Sequence, residues 1–225
     1  MEPAKAIVID ASFKDTTPAL APTTEPLYFR QNWMRLLASD CKPHLAFVRV
    51  WDGVGSITNG RVLLRTEINV PNGFYQVAVN GDLIVAGGHK GIENPYPDVE
   101  SIAPPFTSLK PFCQMNRDTV GLLMNFAEEA RRRDHTVVFD RAEAYSVQWG
   151  RKTKQPEESL VFPYPFGIPG EEVFINALYL KLALIEMLRY DWVCIAKEPR
   201  TLRDETPLVI GRNWKQCALI MTAKP

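Results

Sequence analysis

The stretch LAFVRVWDGVGSITNGRVLLRTEINVPNGFYQVAVNGDLIVA, residues 45–86, decides the fold class. Four strand-like runs are legible in it: Leu45 to Trp51, Arg61 to Val70, Phe74 to Val79 and Leu83 to Ala86. Between them stand Asp52-Gly53, Asn59-Gly60, Asn72-Gly73 and Asn80-Gly81. Asn-Gly and Asp-Gly are the dipeptides that reach positive φ in tight hairpins at little steric cost. The spacing predicts an antiparallel meander.

Upstream, residues 1–26 open on the apolar run Ala6-Ile7-Val8-Ile9 and pass into Thr/Pro/Ala-rich sequence, which reads as an extension or linker. Trp33, Leu36 and Leu37 then sit at i, i+3 and i+4, the spacing of a short helix. Downstream, Pro95, Pro97, Pro104, Pro105 and Pro111 make a connector, because proline neither continues a helix nor fills a central strand. A boundary is placed near 104–111.

The second half opens on a helix. Val120, Leu123, Met124 and Ala127 form its apolar stripe, Asn116 or Asp118 its N-cap, and Arg131-Arg132-Arg133 its basic end. Strands are predicted at Thr136 to Phe139 and Ala144 to Trp149. Val173-Phe174-Ile175 then leads into a second helix capped by Asn176. That helix is apolar nearly all round except for Lys181, Glu186 and Arg189, so it belongs packed on a sheet. Strands at Trp192 to Ala196, Leu208 to Ile210 and Cys217 to Met221 close the chain. The order strand–helix–strand–strand–strand thus recurs around 27–70, 112–162 and 173–221, as a pattern without sequence identity. The class is α+β, with antiparallel sheet and helices on one face, divided into an extension (1–26), a first module (27–108) and a second (109–225).

Composition limits the function. The 26 basic residues balance the 26 acidic ones, so a nucleic-acid surface must come from local segregation of charge. Cys41, Cys113, Cys194 and Cys217 form no CxxC pair and read as buried free thiols. No signal-peptide pattern opens the chain. The longest apolar stretch, Ala177 to Leu188, is too short to span a bilayer, so no membrane is implied and a cytoplasmic setting is expected. Gly87-Gly88-His89-Lys90-Gly91 lacks the spacing of a phosphate loop and reads as a hairpin tip. Cys113, His135 and Asp140 form a nucleophile–base–orienter set only on paper. The pairs Glu128-Glu129 and Glu157-Glu158 read as solvated. No metal or other cofactor is implied, and the chain reads as non-enzymatic.

Three segments resemble the bacterial sliding DNA clamp, the DNA polymerase III beta subunit. Ser56-Ile57-Thr58-Asn59-Gly60-Arg61-Val62-Leu63 resembles its A-T-D-G-x-R-L hairpin. Tyr96-Pro97-Asp98-Val99-Glu100-Ser101-Ile102-Ala103-Pro104 resembles its Y-P-D-Y-x-x-V-x-P segment. Phe174 to Leu180, Pro207 to Ile210 and Leu219 to Met221 follow the order of its last domain. The match runs over about 27–225 and implies the DNA clamp fold in two tandem modules. These would be the family's middle and last domains, the first abbreviated because no second helix is evident between Asn72 and Pro95.

The resemblance implies a processivity factor that encircles double-stranded DNA without reading sequence. The ring would be a homo-oligomer, with three copies supplying six modules, and the divergent short form looks phage-like. Basic residues on the helices, Arg30, Arg35, Arg131, Arg132, Arg133, Lys181 and Arg189, would face DNA, although Arg131 to Arg133 also read simply as a dipole-satisfying helix end. Thr58, Gly60, Leu63, Pro97, Ile102, Pro207, Leu219 and Met221 would form an apolar groove for a peptide of a DNA polymerase or clamp loader. The plainer alternative for these eight is ordinary core. Val62 and Thr222 depart from the family's arginine and proline, which alters the groove's peptide specificity. A clamp-fold scaffold that closes no ring is the competing reading.

Overall fold

A computed structural model of the chain describes residues 7–8, 31–36, 42, 45–78, 81–86, 96–102, 110–140, 143–148, 159–161, 172–188, 192–197 and 207–222. Arg30, Arg189, Cys41, the 87–91 loop, Glu157-Glu158 and the central part of the boundary near 104–111 lie outside them.

The decisive stretch folds as β2 (Val48–Trp51), β3 (Val54–Thr58), β4 (Val62–Glu67), β5 (Gly73–Val77) and β6 (Leu83–Val85). β3 is one strand more than the sequence pattern predicted. Gly55 and Ser56 depress its apparent β propensity, and its pairing with β2 and β4 overrides that. Asp52 and Gly53 both take positive φ (50° and 69°), which closes β2 onto β3 in two residues. At the next turn Gly60 has φ 89°, and Asn59 Oδ1 accepts from the backbone N–H of Arg61 and Val62.

The meander stops there. β5 pairs not with β4 but with β2, on the far side of the hairpin, and β6 continues outward from β5. Asn72-Gly73 is therefore the end of a crossover rather than a hairpin turn. Asn72 Oδ1 accepts from the Asp52 N–H at 3.0 Å, which ties the crossover to the β2–β3 turn.

The second half contains two copies of one plan. β7 (Lys110–Asn116) leads through α2 (Arg117–Arg132) to β8 (His135–Asp140), β9 (Glu143–Gln148) and β10 (Ser159–Val161). β11 (Val173–Asn176) leads through α3 (Ala177–Met187) to β12 (Trp192–Lys197), β13 (Leu208–Asn213) and β14 (Gln216–Ile220). The opening strands are exchanged: β7 pairs with β12, and β11 with β8. The first half repeats part of this plan, since β5 lies on β2 as β11 lies on β8. Its helix, α1, is described over 31–36.

Two sheets result. One runs β6-β5-β2-β3-β4-β14-β13-β12-β7, and the other β1-β10-β9-β8-β11, with β1 (Ile7–Val8) parallel to β10. Pro111, expected in the connector, lies in end strand β7 beside a bulge in β12, where a missing N–H is tolerated.

Both helix caps form as predicted. Asn116 Oδ1 accepts from Thr119 N–H at 2.8 Å, and Asn176 Oδ1 from Leu178 N–H at 2.9 Å. The three helices and one face of each sheet share a single core that includes Trp33, Leu64, Leu123, Val137, Leu180 and Ile220. α3 lies deepest, packed against α2, β4, β8, β11, β13 and β14. Of its polar strip, Lys181 is half-buried and Arg189 lies outside the described residues. Glu186 is buried and accepts from Asn32 Nδ2 of α1 at 3.0 Å, while the same amide also donates to Leu182 O.

Candidate functional site

Side chains along β4 and its neighbours alternate faces, as the two-residue period of a strand requires. Val62, Leu64, Leu208, Ile210, Ala218 and Ile220 point into the helix-backed core. Leu63, Val209, Cys217 and Leu219 point to the opposite, outer face and form a second apolar cluster with Val99, bordered by Tyr96 and Trp214. This cluster sits on the seam where β4 of the first half pairs with β14 of the second.

Of the eight predicted groove residues, the seam gathers a central set. Leu63 is the register partner of both Thr58 and Leu219. Met221 N–H donates to Arg61 O at 2.8 Å, beside Gly60 at the hairpin tip. Pro207 immediately precedes Leu208, the partner of Ile220. Pro97 and Ile102 arrive on the connector that lays Val99 over the seam. Thr58, Leu63 and Leu219 are buried, whereas Ile102 and Met221 are 51% and 38% exposed. The buried outer cluster thus includes the protein's own Val99, while Ile102 and Met221 keep exposed apolar surface. Val62, where the family has arginine, faces the inner core.

Polar residues that the motif search passed over border this cluster. Arg65, almost completely buried, donates Nη2 to Glu100 Oε1 at 2.8 Å, and its guanidinium lies 4.0 Å over the Trp214 ring. Trp214 Nε1–H donates to the other oxygen of Glu100. Tyr96 OH donates to Ser56 O at 3.0 Å and its ring meets Phe74 edge-on. Burial alone would raise the Glu100 carboxyl. The hydrogen bonds from Arg65 and Trp214, with the charges of Arg65 and Arg49, outweigh it and hold that carboxyl below its usual range. Burial also pushes the Cys217 thiol far above its usual range, so it is packing rather than a nucleophile. One signal for this set was legible: an arginine inside the apolar run Val62-Leu63-Leu64-Arg65 has to find a partner once buried.

Of the seven predicted DNA-facing residues, five lie among the described residues. Arg35 is exposed on α1. Arg131, Arg132 and Arg133 are exposed at the end of α2, and Lys181 is half-buried between α2 and α3. Glu128 draws three of these cations together, accepting from Arg131 Nε at 2.7 Å, Lys181 Nζ at 2.8 Å and Arg132 Nε at 3.3 Å. Arg132 also reaches Glu129 at 2.9 Å. Hydrogen bonds from Arg131 and Lys181 hold the Glu128 carboxyl well below the usual carboxylate range.

The paper triad is dispersed. Cys113 lies on a different sheet from His135, and α2 runs between them. His135 and Asp140 stand five residues apart on one strand, about 17 Å.

No family model matches the sequence, and neither does any curated protein. Among solved structures, the Helicobacter pylori beta clamp in complex with diflunisal is similar with a TM-score of 0.56. That match, at 12% identity, covers 93% of this chain and 69% of that one. The DNA polymerase III subunit beta of Borrelia burgdorferi gives 0.56 at 14% identity over 88% and 62%. The Helicobacter pylori beta clamp bound to a DNA ligase peptide gives 0.55 at 13% over 96% and 70%. The chain has the DNA clamp fold. The match spans 62–70% of these clamps, and at such identities the likeness concerns architecture alone. Among the described residues of this clamp fold, no helix is long and apolar enough to cross a membrane.

Proposed function

We propose that the protein is a sliding clamp, a non-enzymatic processivity factor that closes as a homotrimer of two-module chains around duplex DNA and tethers a DNA polymerase through the groove at the seam. The observation that carries this reading is the clamp fold combined with the seam itself. The nine-stranded sheet passes unbroken from β4 to β14, and the hairpin that resembles the clamp family's lies at that junction. A ring of such sheets needs only edge-to-edge strand pairing between copies.

The groove would take an extended apolar peptide from a polymerase or a loader, with Ile102 and Met221 as its accessible walls. A structural relative, the Helicobacter pylori clamp, binds a DNA ligase peptide. Contacts to DNA would be few and weak. Arg131, Arg132 and Lys181 are partly neutralised by Glu128, and linkage rather than affinity would retain the ring on DNA. Zero net charge is compatible with that design.

Solution mass tests the topology directly. The reading expects three times 25.5 kDa at micromolar concentration, and a monomer would overturn the ring. Met221→Asp is expected to abolish stimulation of polymerase on circular primed DNA. The second reading, a clamp-fold scaffold that closes no ring, is favoured by the carboxylate pairing of the helix-end cations. It predicts a monomer that keeps peptide binding.

A further inference from the structure

We infer that Arg65, Glu100 and Trp214 form a clasp that fixes the connector against the seam and thereby sets the wall of the peptide groove. The inference rests on the groove reading and makes these three positioning residues for the partner peptide. They come from three separate parts of the chain: the middle of β4, the connector, and the turn between β13 and β14. Each touches the other two. Arg65 Nη2 and Trp214 Nε1 take one Glu100 oxygen each, and the guanidinium stacks on the indole. Glu100 is the connector's member of the clasp. Its neighbour Val99 is buried in the outer cluster, and Ile102, two residues after Glu100, is exposed and would form the wall of the proposed groove. The turn between them is closed by Ser101 N–H to Asp98 O at 3.1 Å and by Glu100 N–H to Asp98 Oδ1 at 3.2 Å. Holding Glu100 therefore holds Ile102.

A stability role alone does not account for the clasp. Arg65 Nε and Nη1 have no hydrogen-bond partner, nor has Nη1 of Arg49, its row neighbour across Ser56. A buried cation satisfied at one nitrogen contributes no more than an aliphatic side chain of similar volume, and often less. What such a group adds over leucine is directional: one carboxylate position, set by two donors and a ring face. That direction is useful where a flexible connector must present a side chain to a partner.

The test uses the full chain, with Glu100→Gln and Trp214→Phe. The first keeps shape and removes charge; the second keeps a ring beneath Arg65 and removes the N–H donor. Hydrogen exchange at the amides of 99–102 reports the clasp, and exchange in β3 and β4 confirms that the fold is intact. The probe for the groove is the DNA ligase peptide that the Helicobacter pylori clamp binds. Loss of one charge-assisted hydrogen bond is expected to raise exchange at 99–102 and the peptide Kd each by about tenfold, with β3 and β4 unchanged. Unchanged exchange would show that no clasp exists. Faster exchange with an unchanged Kd would overturn the positioning role while leaving the groove in place. Met221→Asp separates the two ideas, because it should abolish peptide binding without altering exchange at 99–102. Peptide binding insensitive to Met221→Asp breaks the groove reading, and this inference falls with it.

Discussion

The trio β2–β3–β4 with β5 and the trio β8–β9–β10 with β11 are built to the same strand plan, yet they carry helices very differently. In the second half α2 runs sixteen residues with its own Asn116 cap, and β11 opens directly into α3 behind Asn176. In the first half α1 is described over 31–36, and β5 turns at Gly81 into the short hairpin strand β6. The difference shows where the first half obtains its core. α1 reaches across to α3 through Asn32, and α3 also packs on β4. A helix encoded in the second half thus covers part of the first half's sheet. The exposed Ile84 and Val85 on β6 mark where cover is lacking.

The comparison breaks most readily at Trp33. Its side chain is fully buried, as is that of Leu36 on the same helix, and it is the larger of the two. Trp33→Ala is expected to cost about 3–5 kcal/mol in urea unfolding, in the range for a truncated core aromatic. A loss below about 1 kcal/mol would mean that the first sheet does not depend on α1. Gly55 supplies the notch for that indole. A Cβ there would stand 2.6 Å from Trp33 Cη2 and 3.3 Å from Ile68 Cγ2. Gly55→Ala should therefore cost about 1–3 kcal/mol by overpacking. In a Trp33→Ala background most of the penalty should be lost, because only the 3.3 Å contact with Ile68 Cγ2 is left. Additive losses in the double mutant would show that the glycine serves another purpose.

What could be read in the sequence followed how local the determinant was. Asn116 and Asn176 were legible as caps because a cap is decided within three residues. Asn59-Gly60 was legible as a turn because positive φ is a property of the turn itself. β3 was obscured by Gly55, whose small size is set by Trp33 above the sheet rather than by strand preference, and by Ser56 on the opposite face beside Arg65. The crossover of β5 to β2 and the pairing of β4 with β14 were illegible, since the register between strands is a tertiary choice. The same applies to the site. Leu63, Leu219 and Met221 came from a resemblance along the chain. Arg65, Glu100 and Trp214 were missed because their relation spans up to 149 positions and only the fold brings them together.

The caps offer a smaller test of the same contrast. Asn176→Ala and Asn116→Ala should each cost about 1 kcal/mol, the usual worth of a satisfied N-cap. α3 is shared by both halves, so Asn176→Ala should also speed exchange in β4, whereas Asn116→Ala should not. Equal effects on β4 would argue that the two helices support both halves alike.

The smallest expected effect on stability lies at Glu128, and it joins the comparison to function. Its carboxylate binds Arg131 on its own helix and Lys181 on α3, so it links the two helices of the second half. Because those donors depress its titration in the fold, the linkage is fully present above the ordinary carboxylate pKa of 4.5 and fades as pH falls toward the depressed value. Glu128→Gln should thus lose up to about 1 kcal/mol at neutral pH, with the gap to wild type closing as pH drops below 4.5. A gap that stays constant through that range would show that the carboxylate charge does not matter. The same variant releases Arg131 and Lys181 from their shared carboxylate, while Arg132 keeps Glu129. If the helix ends face DNA, non-specific binding should then tighten. The slope of log K against log salt should steepen by roughly one unit for each cation freed. If they face solvent, neither should change. Glu128 therefore tests whether weak DNA contact is built into this surface or whether the surface meets no DNA.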